Sequence, residues 1–281
     1  MPSFETPGPI TATIDVVVGD VRISTGDRGA TVVDVRPSDP ANDEDVTVAE
    51  RTRVEYADQR LLVKSPKLRS WRPGRPGGSV DVTIELPAGS RVEADGQLTD
   101  FRSDGALGDC RIRTGIGSIR LDGAGAPVLK TGIGDIGVER ASGHAEITAA
   151  SGDVRVRRLD GSAVIKTSNG DTWVGEAGGD LRLNAANGSI AVDLAQAGVV
   201  AKSANGDVRL GEVVRDAVVL ETRLGDLEVG VREGTAAWLD VRARAGKVHS
   251  TLEAADAPDP SAETVEVRAR TTAGNVLIRR P

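Results

Sequence analysis

Apolar and polar residues alternate in many short runs of this chain. Val154 and Val156 fall on one side of such a run with Arg155 on the other, and residues 208–210 (VRL) repeat the pattern. A period of two predicts β-strands with one buried face. A second alternating run, such as residues 181–183 (LRL), comes about half a repeat later. We therefore expect two strands in each repeat.

A recurring hexad separates these runs: a basic or polar residue, a small residue, two variable positions, glycine, then usually aspartate. Its nine copies are RTGIGS (113–118), KTGIGD (130–135), TAASGD (148–153), KTSNGD (166–171), NAANGS (184–189), KSANGD (202–207), ETRLGD (221–226), RARAGK (242–247) and RTTAGN (270–275). Successive fifth-position glycines are 17, 18, 18, 18, 18, 19, 21 and 28 residues apart. Such a period is typical of solenoids, in which each coil buries its apolar side against neighbouring coils.

The pairs Asn169-Gly170, Asn187-Gly188 and Asn205-Gly206 suit corners that need a positive φ. They are equally compatible with tight antiparallel hairpins. Coils are favoured because the repeating unit holds two strands of dissimilar pattern, and because like residues recur at the spacing of the whole unit. We predict an all-β fold, a right-handed parallel β-helix (β-solenoid) with coils of about 18 residues.

Residues 1–90 follow a different pattern, without the hexad. Alternating runs occur at residues 12–18, 21–23, 31–35, 53–56, 61–64 and 80–86, separated by polar loops such as residues 37–45 (PSDPANDED). The runs predict strands of a small β-sandwich or of irregular first coils, and in either case the segment would cap the open end of the stack. The predicted division is a capping region, residues 1–90, and a solenoid, residues 91–281, with one continuous domain as the alternative.

Composition narrows the class of protein. Only 2% of the 281 residues are aromatic although 39% are hydrophobic, which indicates a narrow core of aliphatic side chains. The net charge of −7 argues against nucleic-acid binding, which uses a basic surface. The single cysteine, Cys110, excludes an intramolecular disulfide. Alternation from Asp109 places Cys110 inward, as a small buried hydrophobe.

The sequence also bears on localisation. Residues 1–14 (MPSFETPGPITATI) contain neither a basic n-region nor a continuous apolar h-region. No stretch approaches the roughly 20 apolar residues of a transmembrane helix. We expect a cytoplasmic protein that does not insert into a membrane.

The aspartates after the hexad glycine are the first candidates for chemistry. In register, Asp135, Asp153 and Asp171 would form a column with a spacing of about 4.8 Å. Carboxylates this close are compatible with a retaining glycosidase, whose acids lie about 5–5.5 Å apart, or with Ca²⁺ binding. The alternative, favoured because the copies are nearly identical, is that each aspartate hydrogen-bonds its own backbone at a turn. We therefore predict no catalytic residue, cofactor or metal.

A second column precedes these aspartates by five residues, and six of its nine members are basic. It consists of Arg113, Lys130, Thr148, Lys166, Asn184, Lys202, Glu221, Arg242 and Arg270. The column is either a stripe for an anionic polymer or lipid head groups, or a set of charges compensated by the aspartates across the corner. The interruptions at Thr148, Asn184 and Glu221 favour compensation. Beside it, a column of threonine, serine and alanine predicts corner packing and hydroxyl ladders.

Two other motifs favour structural roles. Residues 132–137 (GIGDIG) match the dinucleotide fingerprint G-x-G-x-x-G, but Gly137 falls in a predicted strand where the fingerprint requires a helix. His144 and His249 are far apart in the chain and lie at outward positions. Neither forms a metal-ligand pattern or a Cys-His pair with Cys110.

Two departures from the repeat are the predicted partner-binding sites. Residues 64–75 (KSPKLRSWRPGR) form a basic segment in which Arg69, Trp71, Arg72 and Arg75 are candidate anchors. Alternatively, this segment folds over a sheet edge and blocks further pairing. Trp173 occupies an outward strand position where other coils have Arg or Glu, and an exposed ring there suits stacking on a sugar or a protein partner.

The chain resembles the bacterial β-strand-repeat proteins named putative adhesins, the family of domain of unknown function 4097. The resemblance covers nearly the whole chain and rests on residues 4–21 (FETPGPITATIDVVVGDV), 32–40 (VVDVRPSDP) and 80–91 (VDVTIELPAGSR), and on the recurring Gly-Asp-Val-Arg-Val runs. It implies a parallel β-helix and an adhesin-like role. Many relatives are exported or carry a membrane anchor, features that this sequence does not display.

We therefore expect a non-enzymatic repeat scaffold that presents shallow polar faces to a protein or polysaccharide partner. It would be a monomer or associate weakly with itself. A β-helix carbohydrate-active enzyme, with Asp135, Asp153 and Asp171 as candidate acids, is the first alternative. A self-assembling structural protein that associates through its coil ends is the second.

Overall fold

A computed structural model describes residues 2–27, 29–67, 78–253 and 263–281. The chain divides into two compact units, which are described separately: an N-terminal unit, Met1–Ser142, and a C-terminal unit, Gly143–Pro281. Both consist almost entirely of β-strands, as the alternating pattern predicted.

In the C-terminal unit, each 18-residue repeat folds into one coil of two strands. Eleven strands of the N-terminal unit come first in the chain, so the numbering here starts at β12. The strands are β12 (Ala145–Ser151), β13 (Val154–Leu159), β14 (Ala163–Asn169), β15 (Thr172–Ala177), β16 (Leu181–Asn187), β17 (Ile190–Ala195), β18 (Val199–Asn205), β19 (Val208–Val213), β20 (Asp216–Leu224), β21 (Leu227–Val231), β22 (Ala236–Ala245), β23 (Val248–Ser250), β24 (Thr264–Ala273) and β25 (Val276–Arg279). Strands one coil apart pair in parallel, with Ala145 opposite Ala163 and Ala163 opposite Leu181. Parallel pairing at this offset confirms the β-helix and rules out the hairpin alternative for these repeats.

The N-terminal unit holds strands of the same kind together with a short helix. They are β1 (Ser3–Glu5), β2 (Thr11–Gly26), β3 (Ala30–Pro37), α1 (Asp43–Arg51), β4 (Arg53–Ala57), β5 (Arg60–Lys64), β6 (Val80–Pro87), β7 (Arg91–Ala106), β8 (Cys110–Ile116), β9 (Ile119–Ala124), β10 (Pro127–Ile133) and β11 (Ile136–Ala141). The long strand β2 forms a whole coil, paired in parallel with β7 over residues 11–24. The runs at residues 12–18 and 21–23 are therefore one strand.

The end of the N-terminal unit is closed by antiparallel strands. Strands β5 and β6 form its outermost coil, and each pairs in parallel with β2 on its inner side. On the outer side, β4 pairs with β5 and β3 pairs with β6, both antiparallel. These strands cap the coil, the role predicted for this segment. The division at residue 90 itself stays a prediction, although β2 and β7 pair across it.

Helix α1 begins in the segment predicted to be a polar loop, residues 37–45, and continues to Arg51. Asn42 caps it by accepting a hydrogen bond from the backbone N–H of Glu44 at 3.0 Å, and Asp43, Glu44 and Asp45 occupy the first turn. A capping asparagine followed by three acids favours a helix start because both compensate the exposed N–H groups there. That signal was present in the sequence, and the loop prediction was wrong at these residues.

The core is a narrow column of aliphatic side chains from every second position of each strand. Val154, Val156 and Leu159 of one coil stack on their equivalents in the next, and all three are buried. Cys110 belongs to the same kind of column in the N-terminal unit and is only 3% exposed, as predicted. The pattern explains why few aromatic residues are needed: the core is as wide as two aliphatic side chains that meet.

In each unit, the coil that is closest to the chain terminus in sequence lies one coil in from the outermost coil. In the N-terminal unit, β2 lies between the β5–β6 coil and β7. In the C-terminal unit, β24 and β25 lie between the β20–β21 coil and the β22–β23 coil, although both of those coils precede them in the sequence. The outermost coil of the C-terminal unit is therefore β22–β23, and the end of the chain is held between two other coils.

Candidate binding surface around Trp173

Trp173 projects from the outer face of β15, in the C-terminal unit. In register its neighbours are Arg155 on one adjoining coil and Ala191 on the other, and Arg209 follows Ala191 one coil further on. The outward position predicted from alternation is therefore correct. Arginine adjoins Trp173 on one side and alanine on the other, and Trp173 is the one aromatic residue of this column among these four coils.

The indole ring of Trp173 is held in one orientation by its surroundings. A Cβ atom placed on Gly175 would come within 3.2 Å of Trp173 Cη2, so the ring lies over the bare backbone of that glycine. At the ring's polar edge, Nε1 donates a hydrogen bond to Asp193 Oδ1 at 3.2 Å. The ring is partly exposed. It is thus a fixed aromatic platform on an otherwise polar sheet.

Charged side chains of both signs lie on the strand of Trp173 and on the adjoining coil. Arg155 is largely exposed and lies 3.6 Å from Asp153. Arg158 donates to Asp160 at 2.9 Å and lies 3.1 Å from Glu176. The hydrogen bond to Asp160, followed by the charge of Glu176, raises the pKa of Arg158. An aromatic face with carboxylates and guanidinium groups at its rim can stack on a ring and hydrogen-bond its substituents.

The corner aspartates form a ladder that bonds between coils rather than within one turn. Asp153 Oδ1 accepts the backbone N–H of Asp171 at 3.0 Å, and Asp171 Oδ1 accepts that of Ser189 at 2.8 Å. The same bond joins Asp207 to Asp226 at 2.7 Å. The predicted bond to the residue's own backbone was therefore wrong for these side chains. One oxygen of Asp153, of Asp171 and of Asp207 is thus used structurally in the same way, to join one coil to the next.

The hydroxyl column also bonds to the backbone of the neighbouring coil. Ser203 donates to the carbonyl of Gly188 at 3.1 Å and Thr222 donates to that of Gly206 at 3.0 Å, both glycines being corner residues. The prediction of corner packing holds, with the hydroxyls bonded to glycine carbonyls in these coils. Next to them, Asn187 donates its amide to Asn169 at 3.0 Å, which forms an amide ladder.

The basic column lines a shallow groove of the C-terminal unit with a volume of about 460 Å³. Lys202 Nζ lies 2.8 Å from Glu221 of the same column, and Arg270 donates to Asp240 at 3.1 Å. That hydrogen bond, together with the charges of Arg242 and Arg270, holds the pKa of Asp240 below its usual value. Lys202 and Arg270 are therefore compensated by acids along the strands, Glu221 and Asp240. Compensation of the other basic members by the corner aspartates stays a prediction.

The other predicted site residues divide into described and undescribed ones. Arg69, Trp71, Arg72 and Arg75 lie outside the described residues, so their role in binding stays a prediction. In the fingerprint-like segment, β11 (Ile136–Ala141) follows Gly134, as expected for a corner between strands. Among the residues that the structure describes, no group of three or more His, Cys, Asp or Glu side chains is placed to hold a metal ion.

Sequence reasoning missed an apolar stripe on the N-terminal unit. Leu98, Ile116 and Ile133 lie in register on successive coils and are 44%, 48% and 55% exposed. Ile116 and Ile133 occupy the fourth position of the hexad, where the C-terminal unit has the Asn169–Asn187 amide ladder, and Leu98 is in register with them on the coil before the first hexad. The sequence contained the signal, because the fourth hexad position is isoleucine at 116 and 133 but asparagine at 169 and 187.

A second missed residue is Trp238, which is 67% exposed on the outermost coil of the C-terminal unit.

In residues 2–27, 29–67, 78–253 and 263–281, no helix has the length and apolar character needed to cross a bilayer.

Comparison with known proteins identifies the family of the chain. No curated protein matches the chain. It is similar to the crystal structure of a putative adhesin from Parabacteroides distasonis, with 13% identity, a TM-score of 0.47, and 98% of this chain and 95% of that chain covered. It is also similar to a putative adhesin from Parabacteroides merdae, with 13% identity, a TM-score of 0.44, and 98% of this chain and 94% of that chain covered. A putative adhesin from Bacteroides fragilis is similar with 12% identity and a TM-score of 0.36, with 100% of this chain and 95% of that chain covered. Residues 12–279 match the family described as Toastrack DUF4097, and the chain therefore belongs to that family.

Proposed function

We propose that the protein is a non-enzymatic, adhesin-like scaffold that binds polysaccharide through the face around Trp173. The observation that carries the proposal is the fixed orientation of the indole, over Gly175 and bonded to Asp193. A ring that is already immobilised loses little conformational entropy on binding, so its stacking energy is retained as affinity.

The surroundings of Trp173 fit a sugar better than an apolar partner surface. The small side chain of Ala191 adjoins Trp173 on one neighbouring coil, and Arg155 and Asp193 are exposed as donor and acceptor near the ring. Sugars present an apolar ring face together with hydroxyl groups around it. Such a ligand satisfies both the aromatic platform and the charged rim without burying an unpaired charge.

The test is affinity electrophoresis and calorimetry against a panel of soluble polysaccharides. We expect at least one to bind, and Trp173→Ala to weaken that binding about two- to tenfold, since an aromatic stacking contact contributes about 0.5–1.5 kcal/mol. Asp193→Ala, which frees the indole to rotate, should weaken it less. Trp238→Ala is the matched control, because it removes another exposed tryptophan of the same unit and should leave the affinity of each single site, measured by calorimetry, unchanged.

Two outcomes would contradict the proposal. One is that no polysaccharide of the panel binds. The other is that Trp173→Ala and Trp238→Ala have equal effects on binding, since the ring at residue 173 would then have no particular role.

The enzyme alternative has its own test on the same polysaccharides. We expect no hydrolysis, because the ladder aspartates bond to the backbone of neighbouring coils in one repeated manner. A real hydrolytic activity that is lost in a folded Asp135→Asn, Asp153→Asn or Asp171→Asn variant would replace the scaffold proposal with an enzyme. Product analysis by chromatography distinguishes binding from cleavage.

A further inference from the structure

The outermost coil of the C-terminal unit leaves its last core layer open. In β24, directly below, Val265, Val267 and Ala269 are fully buried. The residues opposite them in β22 include Leu239, which is 42% exposed, and Val248 of β23 is 49% exposed. Both β22 and β23 have a partner on one side within the described residues, β24 and β25 respectively. An apolar layer and a ten-residue strand edge therefore meet at this end.

The backbone of β22 is ready to pair at that edge. Ala236 donates its N–H to Glu263 O at 2.9 Å, toward β24. Because alternate residues of a strand direct their N–H and C=O groups to opposite sides, residues 237, 239, 241 and 243 direct theirs to the free edge. Natural proteins normally protect a long edge of this kind with charges, prolines or a covering segment.

We propose that this edge binds the same edge of a second copy of the chain, and forms a symmetric dimer in which the two β22 strands pair antiparallel about Val241. In that register Val241 faces Val241 of the partner subunit and Leu239 faces the partner's Ala243. These are edge-directed positions on both strands, so each forms the hydrogen-bonded pairs of an antiparallel ladder. The two open core layers then lie side by side and exclude water from Leu239.

Charge complementarity selects this register and this occupant. On the outer face, a ladder centred on Val241 places Asp240 opposite the partner's Arg242, and Trp238 opposite the partner's Arg244, each twice by symmetry. The first contact pairs opposite charges and the second places a guanidinium against an indole. Centring the ladder on Ala243 instead would bring Arg242 opposite the partner's Arg244, a like-charge contact that disfavours that register. The outer face of β22 is thus complementary to itself when reversed.

The strands at the edge of the N-terminal unit favour a closed dimer and disfavour an open filament. A filament needs two different free edges that fit each other, whereas a two-fold dimer needs one edge that fits itself. The β5–β6 coil of the N-terminal unit already has antiparallel partners on its outer side. Strand β4, which is exposed there, is only five residues long, half the length of β22. A short edge of this kind resists further pairing.

Sedimentation velocity over an approximately hundredfold range of concentration tests the proposal, since a dimer dissociates on dilution by mass action. We expect a reversible monomer–dimer equilibrium for the full chain. Arg242→Asp places Asp240 opposite a new aspartate at both symmetric contacts and should raise the dissociation constant about 100-fold or more. Adding Asp240→Arg to that variant restores opposite charges across the two-fold, and should restore most of the affinity.

Two further variants separate pairing from folding. Val241→Pro removes an N–H that points to the free edge, so the monomer should keep its circular dichroism spectrum while the dissociation constant rises about tenfold. Arg53→Asp is the matched control, since it breaks an equivalent ion pair between residues two apart on the other exposed strand, and should leave dimerisation unchanged. A persistent monomer, assemblies larger than a dimer, an effect of Arg53→Asp equal to that of Arg242→Asp, or failure of the charge swap to restore association would each overturn the proposal.

Discussion

Replacing the corner glycine Gly188 by alanine tests whether the coils are spaced by close backbone contact. Gly188 has a φ of +144°, which side chains rarely tolerate, and a Cβ there would lie 2.0 Å from the carbonyl oxygen of Gly170 on the preceding coil. The backbone strain alone costs about 1–3 kcal/mol. Ordinary contact begins near 3.4 Å, so the two coils must also separate by more than about 1 Å at this corner.

That separation disrupts hydrogen bonds between the same coils. Gly170 donates to Asn187 O at 3.0 Å, and Ser189 donates to Asp171 Oδ1 at 2.8 Å. Each contributes about 1 kcal/mol net, so we expect Gly188→Ala to lower the free energy of unfolding by about 3–5 kcal/mol in total. Urea unfolding followed by circular dichroism measures the change, with midpoints compared directly because repeat proteins need not unfold in two states.

Gly137→Ala is the matched control for this experiment. Gly137 lies within β11, and the nearest atom to an added Cβ is Arg120 Cγ at 3.8 Å. We expect this substitution to be neutral or stabilising by up to about 1 kcal/mol, since alanine restricts the unfolded chain. The reasoning fails if Gly188→Ala lowers stability no more than Gly137→Ala does.

Two other predictions concern titratable groups. Burial, and then the nearby carboxylate of Asp109, raises the pKa of Cys110 to about 12. At pH 8 the thiol should therefore react with a thiol-specific reagent only after denaturation, and native labelling as fast as denatured labelling would contradict this. Burial, followed by the charges of Asp100 and Asp81, raises the pKa of Asp20 in the folded protein. At pH 7 the ionised carboxylate therefore lowers the stability of the folded state. This loss of stability disappears as the pH falls through the folded pKa toward the lower pKa of the unfolded chain. Asp20→Asn should accordingly stabilise the protein at pH 7 and lose that advantage in acid, and a melting-temperature difference that is constant with pH would contradict it.

Much of the repetitive architecture was predictable because its cause is local and repeated. Val154 and Val156 alternate with Arg155, and the glycines at 170, 188 and 206 recur at one spacing, so strand, face and register followed from the sequence. The buried position of Cys110 followed from the same alternation. Each of these features depends on residues within one coil or at the same position of the next.

The features that escaped prediction depend on which strands become neighbours. Alternation shows that β2 has a buried face, but not that it lies between the β5–β6 coil and β7. Likewise, the aspartate at 171 was expected to bond its own turn, whereas its partner is the N–H of Ser189 one coil later. The outward position of Trp173 was predicted, but its fixed orientation also requires Asp193, twenty residues away along the chain.

The placement of β24 and β25 between two other coils constrains how the C-terminal unit can be synthesised and assembled. Strand β22 has β24 as its described partner, and β24 leaves the ribosome after it, so coil-by-coil assembly in the order of synthesis cannot complete this end. The last segment must enter between β20 and β22, or β22 must wait for it. Arg279 then bonds to Glu228 at 2.7 Å, and the final residues are fastened only when insertion is complete. A chain that stops before residue 264 would lack the layer that joins its outermost coil to the rest, so the final eighteen residues decide whether this end exists at all.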